Sequence, residues 1–204
     1  MIVLHATAMA CCDDALQRLC DPEAEVSSHY LISETGEIWQ LVDDTRRAWH
    51  AGIGRWGDIS DVNSHSIGIE LANAMTHPFP EPQMVALEAL LRDLLAQHGI
   101  CPSRVIAHSD MAPGRKDDPG PRFDWRRLAL QGLSIWPVPT ETDASIPELL
   151  SRAGYPPDAT PADLLAMFRS RFRPGVLGPE TQEDRMLAAG LANSFPFDAS
   201  RTSA

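Results

Sequence analysis

From Ser66 to Leu71 the chain alternates, with Ile67, Ile69 and Leu71 on one side of an extended backbone and Ser66, Gly68 and Glu70 on the other. This is the signature of a strand with one apolar face, and it points Glu70 away from that face. Ile2 to His5 is a short apolar run of the kind a buried strand shows, and Asp13 is placed to cap a short helix carrying Leu16 and Leu19. Ser28 to Ile32 and Ile38 to Val42 are β-prone runs around Glu34-Thr35-Gly36-Glu37, where glycine supplies the positive φ of a hairpin turn. Met84, Leu87, Leu91, Leu94 and Leu95 recur at helical spacing between Pro80-Glu81-Pro82 and Gly99. They predict an amphipathic helix lying on one sheet face. Val105 to His108 reads as a last short strand, followed by a proline- and glycine-rich loop from Ala112 to Pro121. Strands interspersed with helices predict an α/β domain, a mixed central sheet flanked by helices.

Past Trp136-Pro137-Val138-Pro139 the pattern changes to a polar linker and then to short helical pieces at Ile146 to Ala153, Ala162 to Phe172 and Glu180 to Leu191. The expected division is a catalytic-sized domain over 1–138 and a linker with a small helical appendage over 139–204. A unit that short has a thin core, so it is expected to pack on the main domain rather than fold independently.

The whole chain has 204 residues, 44% of them hydrophobic, and a formal net charge of -11. That charge disfavours a phosphate-backbone partner, which needs a basic stripe, so no nucleic-acid binding is expected. Cys11, Cys12, Cys20 and Cys101 form no C-x-x-C pair and two are adjacent, which suits reduced thiols better than disulfides or a thiolate metal site. The opening Met-Ile-Val-Leu-His lacks the regions of a secretory signal, and no run reaches membrane-spanning length. A cytoplasmic location is the expectation, with a periplasmic one if an upstream signal has been omitted. No residue pattern speaks to oligomeric state.

Seven histidines are candidates for chemistry. Taken singly, each is better read as a surface or hydrogen-bonded core residue. His5 and His108 differ because each closes a short apolar strand, where a side chain emerges beside loops. Asp118 follows ten residues after His108 in a loop stiffened by Pro113, Pro119 and Pro121. Two imidazoles and one carboxylate hold Zn²⁺ while leaving its fourth position open, as hydrolysis requires. No short local motif such as H-E-x-x-H supports that set.

Whole segments do support it. The run H-S-D-M-A-P-G-R-K-D-D-P-G-P from His108 to Pro121, the opening I-V-L-H-A-T, S-S-H-Y-L-I, A-W-H-A-G from Ala48 to Gly52 and N-S-H-S-I-G-I-E-L from Asn63 to Leu71 occur in one order. Through them the sequence resembles the type-2 N-acetylmuramoyl-L-alanine amidases of bacteria, in particular those acting on anhydro-muropeptides. That family also takes in phage amidases and animal peptidoglycan recognition proteins.

The resemblance implies an enzyme that cleaves the amide between the lactyl group of N-acetylmuramic acid and L-alanine of the stem peptide. It implies zinc ligands at His5, His108 and Asp118 and a catalytic pair at Glu70 and Lys116. Glu70 would carry the proton and Lys116 would face the developing oxyanion. The plainer readings are a strand carboxylate facing water and an exposed loop lysine. Trp49 and His50, with Tyr30 beside His29, are candidates for a substrate wall, or else pack on the sheet. Arg115 either grips a stem-peptide carboxylate or solvates its loop. R-F-R-P at Arg171 to Pro174 and a downstream P-E-T-Q resemble helical peptidoglycan-binding modules, against which stands a bundle that only covers the domain edge. The expected partner is a muropeptide. Two alternatives remain, a non-catalytic recognition module and an exported cell-wall amidase; Asp118, Glu70 and Lys116 all being present favours catalysis.

Overall fold

The computed structural model describes residues 1–197, so the end of the appendage, 198–204, lies outside the described residues. Five strands, β1 (Ile2–Ala6), β2 (Tyr30–Ile32), β3 (Ile38–Gln40), β4 (Ile67–Leu71) and β5 (Val105–Ala107), form one sheet in the order β3-β2-β4-β1-β5. β2, β4, β1 and β5 run parallel, and β3 returns antiparallel to β2. The hairpin turn forms as its glycine predicts, with Gly36 at φ +87°. Helices are α1 (Cys12–Cys20), α2 (Glu81–Gln97), the single turn α3 (His108–Met111), α4 (Trp125–Leu130), α5 (Ile146–Ala153), α6 (Pro161–Phe172) and α7 (Gln182–Ser194).

Several boundaries differ from expectation. Asp13 does not cap α1; the N-cap is Cys11, and Asp13 sits inside the first turn, where its charge suits the helix dipole. β1 runs one residue past His5, and β5 stops at Ala107, so His108 opens α3 instead of ending a strand. Helix α4, six residues long, is too short for a helical period to show in the sequence.

Strand alternation separates two cores. Ile2, Leu4, Tyr30, Ile32, Ile69 and Leu71 face α2, packing with its Met84, Leu87, Leu91 and Leu94 and with Trp125 and Leu128 of α4. Val3 and Ile106 face the other way, into a core with Met111 and with Ile146, Leu149, Phe168, Phe172 and Leu187 of the C-terminal helices. The helical appendage therefore shares its core with the sheet. It covers the N-terminal part of that face, and the C-terminal ends of the parallel strands open into a cleft. Ligand sites in parallel sheets favour that end.

Candidate active site

Ladder register assembles the site. His5 of β1 is paired with Glu70 of β4, and Leu4 with Ala107 of β5, which brings His108 level with His5. Ser109 N donates to Asp118 O at 3.0 Å, folding the proline-rich loop back so that its carboxylate meets both rings. The cleft has a volume of about 460 Å³ and is lined by His5, His50, Glu70, His108, Lys116 and Asp118. Helix α1 forms a further wall through Ala15, Arg18 and Leu19, which no sequence motif had marked.

Three atoms converge. His5 Nδ1 lies 2.9 Å from His108 Nδ1, and Asp118 Oδ2 lies 3.3 Å from the first and 3.1 Å from the second. The three side chains are buried, and among the described residues they form the group able to hold a metal ion. Their protons can be traced. His108 Nε2 is 2.9 Å from the carbonyl oxygen of Ala51, which can only accept. Nε2 therefore carries the hydrogen and Nδ1 presents a lone pair. Ser66 Oγ lies 2.5 Å from Val62 O and must donate to it, so it accepts from His50 Nε2 at 3.3 Å. His50 Nδ1 then accepts from His5 Nε2 at 2.9 Å, and His5 also turns a lone pair inward.

The charge states agree with this chain. Burial, reinforced by the neighbouring His108, pushes His5 down to about 4. Burial and then the nearby His5 hold His50 well below the usual range for imidazole. Two imidazole lone pairs and a carboxylate oxygen thus face one another with no proton between them. Such a set needs a cation. Tetrahedral zinc with Zn–N near 2.0–2.1 Å spaces its donors about 3.3 Å apart, close to the distances present.

Glu70 also lies in this cleft. Its Oε2 is buried with no hydrogen-bond partner. Burial raises its carboxyl to about 8, the charge of Asp118 pushes the same way, and Lys116 opposes both. A half-buried carboxyl with one orphaned oxygen beside an exposed lysine is a group suited to exchange a proton.

The other expected residues are placed as follows. His50 lines the cleft, but both its ring nitrogens are committed, to His5 and Ser66, so it orients the His5 ring instead of presenting a free wall. Gly68 makes room for it: a Cβ there would lie 2.4 Å from the His50 ring. Trp49 is 53% exposed and does not line the cleft. Arg115 donates to Ala51 O at 2.8 Å, the same carbonyl that holds His108. Tyr30 is buried in the α2-side core with its hydroxyl donating to Asp44 at 2.7 Å, on the sheet face opposite the cleft. The supporting roles of Ala51, Ser66 and His50 escaped sequence reading because each depends on contacts across more than ten residues. His50 alone had a signal, as the histidine of the A-W-H-A-G run.

Comparison with known proteins yields a consistent picture. The family model described as N-acetylmuramoyl-L-alanine amidase matches residues 1–121. The amidase AmiD of Escherichia coli K12 is 37% identical over 97% of this chain and 84% of its own length. The 1,6-anhydro-N-acetylmuramyl-L-alanine amidase AmpD of Salmonella typhimurium SL1344 is 43% identical over 53% of this chain, a match that spans 59% of that protein. The structure of E. coli AmiD with its substrate anhydro-N-acetylmuramic acid-L-Ala-D-γ-Glu-L-Lys superposes with a TM-score of 0.86 at 38% identity, covering 96% of this chain and 89% of that one. AmpDh3 of Pseudomonas aeruginosa with an anhydromuramic pentapeptide superposes at 0.87, with 28% identity, over 97% and 92%.

Proposed function

The chain belongs to the N-acetylmuramoyl-L-alanine amidase family, and from that premise we propose that it hydrolyses the amide between anhydro-N-acetylmuramic acid and L-alanine with a zinc ion held by His5, His108 and Asp118. The observation that carries this reading is the convergence of two inward lone pairs and an ionised carboxylate with no donor among them. When bound, zinc supplies Lewis acidity, lowering the pKa of a water towards neutrality and polarising the scissile carbonyl. Glu70 accepts a proton from the attacking water and returns it to the leaving amine, which must depart neutral. Lys116, at the cleft rim, sets positive charge beside the carbonyl oxygen as that oxygen gains negative charge. His50 keeps His5 in the tautomer that binds metal, and Ala51 does the same for His108.

The neighbouring AmiD and AmpDh3 structures each hold an anhydro-muropeptide, which supports a soluble recycling fragment as the substrate. The four cysteines are free thiols, Cys11 and Cys20 exposed, which suits a reducing compartment and hence action inside the cell. Among the described residues no helix is long and apolar enough to cross a membrane. Incubation with an anhydro-muropeptide should release free stem peptide. Chelation should abolish release, zinc should restore it, and His108→Ala should lack it; cleavage that survives both chelator and His108→Ala would overturn the zinc reading.

A further inference from the structure

The turn that begins at His108 is gripped from outside the sheet, through Asp110. Two residues on, Asp110 is fully buried and its carboxylate gathers three donors. Oδ2 accepts from Ala107 N at 2.9 Å and from Arg171 Nη1, and Oδ1 accepts from the Tyr155 hydroxyl at 2.7 Å. Arg171 comes from α6 and Tyr155 from the segment just after α5, both in the C-terminal helical unit. The same guanidinium donates through Nη2 to Val105 O at 3.0 Å and to Ser134 Oγ at 3.2 Å, and it lies 4.1 Å from the centre of the Trp125 ring. One side chain of the appendage thus holds the start of β5 and the single turn of α3, on either side of His108.

Two independent contacts brace the neighbouring loops. Gly114, in the loop that carries Lys116 and Asp118, fits against α6 so closely that a Cβ there would lie 2.7 Å from the Asp163 carboxyl. Gly57 N donates to Gly154 O at 2.6 Å, tying the loop after Ala51 to the end of α5. None of these groups lines the cleft.

We propose that Arg171 and Tyr155 are positioning residues for the metal centre, acting through Asp110 so that the C-terminal helices set the geometry of His108. An ion pair that served the fold alone would change stability and leave metal binding as it was. A positioning pair changes metal affinity itself, as partners outside the ligand shell do in other sites, by about 10–100-fold. The inference rests on His108 being a ligand.

The test uses the full chain with Tyr155→Phe, which deletes one hydroxyl, Arg171→Lys, which keeps charge but loses the fork, and Leu187→Ala, which loosens the same core from α7 without removing a partner of Asp110. Zinc affinity is measured by competition with a chromophoric chelator, ligand geometry by the visible spectrum of the cobalt-substituted protein, and stability by thermal melting. Tyr155→Phe and Arg171→Lys should weaken zinc binding by about 10-fold or more and shift the cobalt bands. Leu187→Ala should lower the melting temperature and leave both metal readouts as in the parent. Unchanged affinity and spectrum in Tyr155→Phe and in Arg171→Lys overturn the proposal; if Arg171→Lys does not fold, Tyr155→Phe decides alone. A parent protein that binds no zinc sinks the ligand reading instead.

Discussion

Glu70 is a position where the fold carries a cost. It stands on a core strand with an unpartnered buried oxygen, and burial followed by the charge of Asp118 raises its carboxyl from the usual 4.5 to about 8. A carboxyl whose folded value is raised contributes stability that is full below its unfolded value and is lost as pH rises through the folded one. In metal-free protein the parent should therefore lose stability relative to Glu70→Gln between pH about 4.5 and 8, at about 1.4 kcal/mol per pH unit. Denaturant titrations of both chelated proteins at pH 5 and pH 8 check this, and an equal gap at both pH values would refute it. On the proposed roles, Glu70→Gln in the zinc-loaded protein should cut kcat by about 10²–10⁴ while zinc content holds, because the proposal gives this side chain proton transfer and no ligation.

At the scale of elements, register does the assembly. Parallel pairing of β1 with β4 and β5 carries His5, Glu70 and His108 to one end of the sheet, and a slip of one residue would turn His5 and Glu70 into the α2 core. Gly68, next but one to Glu70 on the same face, leaves the hollow that His50 fills, and His50 in turn holds His5. Gly68→Ala should displace the imidazole and weaken zinc binding by about 10-fold or more, with the strand otherwise kept, because alanine is acceptable in a strand at this backbone angle. Chelator competition measures the affinity, and the cobalt spectrum should show the altered His5 site. Binding equal to the parent's would mean that His50 does not orient His5.

The whole molecule is organised around a shared core. Val3, Ile106 and Met111 are fully buried beneath the C-terminal helices, and each such side chain contributes about 1.5–3 kcal/mol when taken out of water. A chain cut to 1–138 uncovers all three and strands Asp110 without its guanidinium. It should aggregate or unfold, whereas a freely separable module would leave a monomer that melts cooperatively; light scattering and calorimetry of the truncated chain distinguish these. Within the appendage the buried Asp184 is held by both Arg169 and Arg173, so Arg169→Met leaves one partner in place and should cost about 1–3 kcal/mol of stability, read by denaturant unfolding.

The sequence by itself determined most local elements and singled out the side chains that the structure brings together in the cleft. Period-2 and period-3.6 patterns were enough for β1, β4 and α2, because those faces meet a core throughout. The runs around His5, His108, Asp118 and Glu70 were legible because the chemistry demands those residue types in the resembled family's order. Tertiary structure alone decided which neighbours do the supporting work. Tyr30 reads like His50 as an aromatic near a motif, yet strand parity sends Tyr30 to the α2-side core, whereas His50, in a loop, reaches His5 across the hollow left by Gly68. Asp110 sits inside the strongest motif, but nothing in the sequence links it to Arg171, sixty-one positions away. Hydrogen-bond partners are chosen by packing across the fold, and no local pattern records that choice.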